Sequence, residues 1–212
     1  MIVFVHIPKT GGTSIRSAAE EYFGEQHVLH DYGADAPRTS EVVRELIYGR
    51  DDFSAFARHV ENANIEFLSG HFKLDRYKPH LRSAQFVTWL RDPVNRVVSL
   101  HAHRTRIELN NASLPEFSEQ PRFRNGQVIQ AGDLCTEYAA IGFLEDHARS
   151  LQQLNDRLDI DLAVRHDNVS TSNASELEPD LRDRIAFYNK LDVAFVEKAR
   201  RHMFTNESSI GD

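Results

Sequence analysis

Residues His6-Ile7-Pro8-Lys9-Thr10-Gly11-Gly12-Thr13-Ser14 follow directly on the apolar run Ile2 to Val5, so the chain opens as a strand, a glycine turn and a helix start. A helix beginning near Thr13 aims its unpaired backbone N–H groups and the positive end of its dipole at the loop before it, which is the physical basis of a phosphate or sulfate site. Gly11 and Gly12 let the backbone approach the anion, Lys9 adds a full positive charge, and Thr13 and Ser14 add hydroxyl donors. The loop is not the nucleotide-triphosphate form G-x-x-x-x-G-K-[ST]. Aligning Gly12-Thr13-Ser14 on its last three positions puts Thr13 where the lysine belongs and Ile7 where the first glycine belongs, while Lys9 stands three residues before Gly12.

Two further apolar runs end abruptly in polar residues, as core strands do when they deliver side chains to the carboxyl edge of a parallel sheet. Ile65 to Leu68 ends in Ser69-Gly70-His71-Phe72, and Ala84 to Leu90 ends in Arg91-Asp92-Pro93. Asp92 is a good N-cap and Pro93 a good first helical residue, so a helix is predicted from Pro93 to about Leu109. Ser99 then falls ~9 Å along that helix from Pro93. A flexible arginine can fold back from position 91 to meet it, pairing a planar cationic fork with a hydroxyl, a donor set suited to a phosphate dianion. The alternative is that Arg91 pairs with a surface carboxylate and Ser99 is an ordinary helix serine.

The two motifs, in this order, carry a family resemblance. His6 to Ser14 is similar to the 5′-phosphosulfate loop of the carbohydrate sulfotransferases, and Arg91-Asp-Pro-Val-Asn-Arg-Val-Val-Ser99 resembles their 3′-phosphate motif, in the flavour of the branch containing heparan sulfate 2-O-sulfotransferase and its bacterial relatives. The resemblance implies a donor, 3′-phosphoadenosine-5′-phosphosulfate (PAPS), held by Lys9, Thr10, Gly11, Gly12, Thr13, Ser14, Arg91 and Ser99, with no metal. It implies transfer of a sulfuryl group to an acceptor hydroxyl, on family precedent that of a sugar. Ser69-Gly-His-Phe72 resembles the segment that supplies the base in that branch, which makes His71 the candidate; an imidazole can take a proton near neutrality. His6, His101 and His103 compete with it among eleven histidines, and His6 reads better as a core or loop-bracing residue. Lys9 is expected on the bridging oxygen of the leaving phosphate, where charge grows in the transition state. Arg165 to Ser172 looks like the late loop that closes over the nucleotide. Gly126 to Glu137 lacks the Gln-Thr-Arg-like segment of related enzymes, a departure that concerns the acceptor rather than the donor.

Two other function classes stay open at the level of sequence. A P-loop phosphotransferase using magnesium and ATP would set Ser14 on the metal with Asp92 as acidic partner, and the displaced lysine counts against it. A nucleotide-binding or assembly module would keep the loop and lack a base.

The elements that must position these residues read as α/β. Spacings of three and four predict helices after the loop (Ile15 to Phe23), over Thr39 to Val60 with a break near Gly49, over Leu144 to Leu158, and over Glu176 to Tyr188 and Leu191 to His202. Short strands are expected within 27–33 and, from alternation, over Ile160 to Val164. The order predicts one three-layer, P-loop-like α/β domain over 1–212, a mainly parallel central sheet flanked by helices, with an irregular substrate-side excursion around 110–133.

Composition agrees. With 25 Lys plus Arg against 32 Asp plus Glu, the net charge of −7 argues against a general nucleic-acid or acidic-membrane surface, so any polyanion site is local. A single cysteine, Cys135, fits a reducing compartment, and the short first apolar run reads as neither signal peptide nor membrane anchor; the cytoplasm is expected.

Overall fold

The computed structural model describes residues 1–107, 109, 111–165 and 174–205. At its centre lies a five-stranded parallel sheet in the order β2-β3-β1-β4-β5. Its strands are β1 (Ile2–Val5), β2 (Val28–Asp31), β3 (Phe67–Gly70), β4 (Gln85–Leu90) and β5 (Ala140–Phe143). Helix α1 (Gly12–Phe23) follows β1. Between β2 and β3 run α2 (Glu41–Val43), continued as a π-helical stretch over Arg44–Gly49, and α3 (Phe53–Asn62). A short α4 (Leu74–Tyr77) follows β3, and α5 (Pro93–Arg106) follows β4. Helices α6 (Leu114–Glu119) and α7 (Gly126–Ala131) precede β5, and α8 (His147–Leu158), α9 (Pro179–Tyr188) and α10 (Lys190–Thr205) come after it.

Helices cover both faces of the sheet, which is why the strands read as unbroken apolar runs. Along β1 the side chains alternate: Ile2 and Phe4 join Trp89, Ile15 and Ala19 of α1 and Leu151 of α8 in one core, while Val3 and Val5 join Phe56 of α3 and Phe195 and Ala199 of α10 in the other. A third cluster, with Val94, Val97, Phe117, Phe123 and Ile185, packs α5 against α6 and α9. No helix among the described residues is long and apolar enough to cross a membrane.

Helix ends follow local chemistry. Asp92 caps α5 by accepting from the Asn95 N–H at 2.8 Å, with Pro93 in the first turn. Helix α7 starts after Asn125, whose left-handed backbone (φ 52°) turns the chain, and the Asp192 carboxylate of α10 accepts from the backbone N–H groups of Gln127 and Val128.

Three local expectations differ from the structure. The second apolar run forms its strand over Phe67–Gly70 rather than Ile65 to Leu68, because Ile65 still closes the turn after α3 by donating to the Val60 carbonyl. The shift leaves His71 as the first residue beyond the strand. Ile160 to Val164 is not a strand. Leu162 is buried, yet its backbone N–H and carbonyl are both taken by the Asn155 side-chain amide of α8, at 3.1 and 3.0 Å, so no neighbouring strand is needed. The fifth strand is Ala140–Phe143, paired with β4. Finally, the stretch 110–133, expected to be irregular, carries α6 and α7, and Phe117, Phe123, Gln127 and Ala131 are buried in it.

At the β2–β3 pairing the backbones come so close that a Cβ on Gly70 would overlap the Asp31 carbonyl, the group that accepts the His71 N–H at 2.9 Å. A backbone neighbour cannot swing aside as a side chain can. Gly70→Ala is therefore expected to lower stability by about 3 kcal/mol, the upper end of the usual range for overpacking. A urea-unfolding midpoint equal to wild type would show that the strands separate freely here.

Candidate functional site

Strands β3, β1 and β4 lie side by side and deliver His71, His6 and Arg91 to one edge of the sheet. The loops leaving the central strands of such a sheet diverge and open a crevice beyond the carboxyl ends. Here the crevice is a cavity of about 630 Å³, lined among others by Lys9, Gly12, Ser14, His71, Arg91 and Ser99. Gly11 and Thr13 line it as well. Thr10 does not: its side chain is buried and its hydroxyl donates to the Ile7 carbonyl at 2.9 Å, bracing the turn from inside.

The loop conformation follows from two backbone choices. Lys9 (φ 71°) and Gly11 (φ 87°) both take left-handed geometry, and a lysine held there stores strain that its surroundings must overcome. Helix α1 then begins at Gly12, where an added Cβ would overlap the His6 ring. The missing side chain lets the start of α1 settle directly on the end of β1, with its free N–H groups toward the cavity.

His6 is buried at the cavity wall and held by chemistry as well as by packing. Its ring stacks on Phe4 at 5.3 Å between centroids, and its Nδ1 lies 3.0 Å from the Tyr32 hydroxyl, itself 3.2 Å from Ser69 Oγ. Burial first, then the nearby His71, Arg16 and Lys9, pushes its pKa well below the ordinary 6.5, so at neutral pH it is an uncharged brace.

His71 sits at the rim with an open side, while the rings of His6 and Tyr32 crowd it at centroid distances of 4.6 and 4.7 Å. Its Nδ1 donates to the His6 carbonyl at 2.6 Å. A carbonyl only accepts, so that proton is fixed on Nδ1 and the neutral ring keeps Nε2 as a free base. Burial of the ring lowers the His71 pKa, and the bond to the His6 carbonyl partly opposes this.

Cations converge on the other side. Burial lowers the Lys9 pKa, and Arg106 and Arg91 add to the effect by repulsion. The Arg91 guanidinium donates to the Lys9 carbonyl at 3.3 Å, tying the loop to the end of β4. Ser99, 2% exposed, has a hydroxyl with no hydrogen-bond partner among the described residues. Leaving a buried hydroxyl unmet costs about 1–3 kcal/mol, which a ligand accepting from it would recover.

Other residues entered the site without a local signal in the sequence. Gln127, wholly buried, accepts from the Arg91 N–H and donates to the Arg91 carbonyl, both at 2.9 Å. Gln130 donates to the His6 carbonyl at 2.8 Å, sharing that acceptor with His71. Glu145, after β5, accepts from the Asp92 N–H at 2.7 Å. His103 also lines the cavity, whereas His101 points elsewhere and contacts the Ala112 carbonyl. Of the expected late loop Arg165 to Ser172, Arg165 lines the cavity and pairs with Glu21 at 2.8 Å; positions 166–172 lie outside the described residues.

No family model matches the chain, and a comparison with curated proteins finds no matching sequence. Solved structures do resemble it. The crystal structure of a sulfotransferase from Alicyclobacillus acidocaldarius matches with a TM-score of 0.54 and 20% identity, covering 92% of this chain and 94% of that one. Mouse sulfotransferase SULT7A1, complexed with PAP, matches with a TM-score of 0.51 and 12% identity, covering 92% of this chain and 88% of that one. At these identities the likeness is one of fold: an α/β domain with a parallel central sheet flanked by helices, as sulfotransferases have.

Proposed function

We propose that this chain is a PAPS-dependent sulfotransferase of the cytoplasm, related to the heparan sulfate 2-O-sulfotransferase branch, that sulfates a hydroxyl of a carbohydrate or glycoconjugate. The observation that carries the proposal is the pairing, in one cavity, of a helix-start anion loop with Arg91 and the unmet buried hydroxyl of Ser99. Anion donors at two separate places suit a nucleotide phosphorylated at both 5′ and 3′ positions. The fold shared with a sulfotransferase complexed with PAP supports the same reading.

PAPS supplies the sulfuryl group and a bisphosphate that can leave with the bond electrons. The chain does the rest. The α1 N-terminus with the Thr13 and Ser14 hydroxyls holds the 5′-phosphosulfate, and Arg91 with Ser99 holds the 3′-phosphate. His71 Nε2 takes the proton of the acceptor hydroxyl as its oxygen bonds to sulfur. Lys9 Nζ stabilises the negative charge that grows on the phosphate oxygen as the S–O bond breaks. The electron balance closes without a metal or redox partner.

Calorimetry with adenosine 3′,5′-bisphosphate tests the donor site. It is expected to bind far more tightly than AMP, and Ser99→Ala to weaken it about tenfold through loss of one hydrogen bond to a charged group. Equal affinity for AMP and the bisphosphate would sink the PAPS assignment; magnesium-dependent ATP turnover surviving Arg91→Ala would point instead to a phosphotransferase.

Turnover separates the two catalytic roles. His71→Ala is expected to reduce kcat by ~10²–10⁴ with the bisphosphate still bound, and Lys9→Ala by ~10²–10³. Because burial lowers the His71 pKa, the free base persists as pH falls below the ordinary 6.5; kcat/KM, which reports the ligand-free enzyme, is then flat through neutrality and drops only at more acidic pH. An acid limb of kcat/KM centred above 6.5 would exclude His71 as that base.

A further inference from the structure

We infer that α7 is the strut that sets the separation between the arginine of the donor site and the base, and that Gln127 and Gln130, three residues apart on it, are positioning residues for Arg91 and His71. The inference rests on the sulfotransferase reading for what Arg91 and His71 do, and on geometry alone for how they are held.

Gln127 closes a two-way hydrogen bond with the Arg91 peptide, accepting from its N–H and donating to its carbonyl, each at 2.9 Å. That fixes both peptide planes around Arg91 as a neighbouring strand would, at a point where β4 has already ended. Gln130 acts at the other end, donating at 2.8 Å to the His6 carbonyl that also receives the His71 Nδ1–H at 2.6 Å. Residues three apart lie on one face of a helix, so one rigid turn reaches both strand ends.

The strut is itself anchored. The Asp192 carboxylate of α10 accepts from the Gln127 and Val128 N–H groups at 2.8 to 3.1 Å, Asn125 Oδ1 accepts from the Leu191 N–H at 3.1 Å, and Asn189 Oδ1 accepts from the Asn125 N–H at 2.9 Å. Asp192 is fully buried, and the Arg96 guanidinium of α5 lies 4.0 Å away. The lock between α7 and α10 therefore also touches the helix that carries Ser99.

The two glutamines should fail differently. Gln130→Leu removes one of two donors to the His6 carbonyl. The remaining donor, His71 Nδ1–H, then has that oxygen to itself, the bond strengthens, and the imidazolium gains. The His71 ring, followed by NMR in the ligand-free protein, should titrate at higher pH in Gln130→Leu than in wild type, while the affinity for adenosine 3′,5′-bisphosphate stays within about twofold. Gln127→Met should weaken the bisphosphate about tenfold and leave the His71 titration where it was.

Because Gln127 is buried, Gln127→Glu is measured beside it. It keeps the acceptor for the Arg91 N–H but sets a carboxylate against the Arg91 carbonyl, and weaker bisphosphate binding is expected again. An unchanged His71 titration in Gln130→Leu overturns the role of Gln130. Wild-type bisphosphate affinity in either folded Gln127 variant overturns that of Gln127. If wild type itself binds no bisphosphate, the donor assignment fails, and the NMR titration still decides whether Gln130 positions His71.

Discussion

The His6 ring occupies the space where a side chain on Gly12 would stand, and the His6 carbonyl takes hydrogens from His71 and Gln130. One residue thus sets how closely α1 approaches the sheet, which nitrogen of His71 carries its proton, and where α7 docks. Phe4 beneath the ring and Tyr32 beside it leave it little freedom to tilt. A charged imidazolium there would have to be buried among Lys9, Arg16 and His71, and burial keeps it neutral. The most central histidine of the site is in this way a brace, and it fixes the tautomer of the histidine beside it.

Against a net charge of −7, the cavity gathers Lys9, Arg91 and Arg165, with Arg106 acting on Lys9 from nearby. Burial destabilises the charges of Lys9 and Arg91, and Glu145 and Asp92 only partly compensate Arg91. Such a cluster is held in place by the fold rather than by its own attractions. A polyanion docked there would relieve both the repulsion among the cations and the unmet hydroxyl of Ser99.

The opening loop and the Arg91-Asp92-Pro93 corner were legible because their signals are local: an apolar run buried on both faces, glycines where the backbone must turn, and an aspartate and proline at a helix start. The parallel sheet was legible for the same reason. What escaped were features set by distant partners. Ala140–Phe143 is four residues with a glycine against the Trp89 ring, and only its pairing with β4 makes it a strand. Ile160 to Val164 has a strand's alternation at Leu162, but a helix side chain satisfies its backbone. Gln127 and Gln130 sit in a stretch without clear period, and their partners lie 36 and 124 residues away in the chain. No nearby pattern encodes such a bond.

The strand order carries a last consequence. The chain leaves the sheet at His71 from β3 and at Arg91 from β4, with β1 between them. Neighbouring strands run ~4.8 Å apart, so these two exits are separated by about 10 Å of backbone lattice that no side-chain change can compress. The sheet is therefore a ruler. Anything that reaches from one exit to the other must match that span, and a group as small as an inorganic anion covers only one graduation.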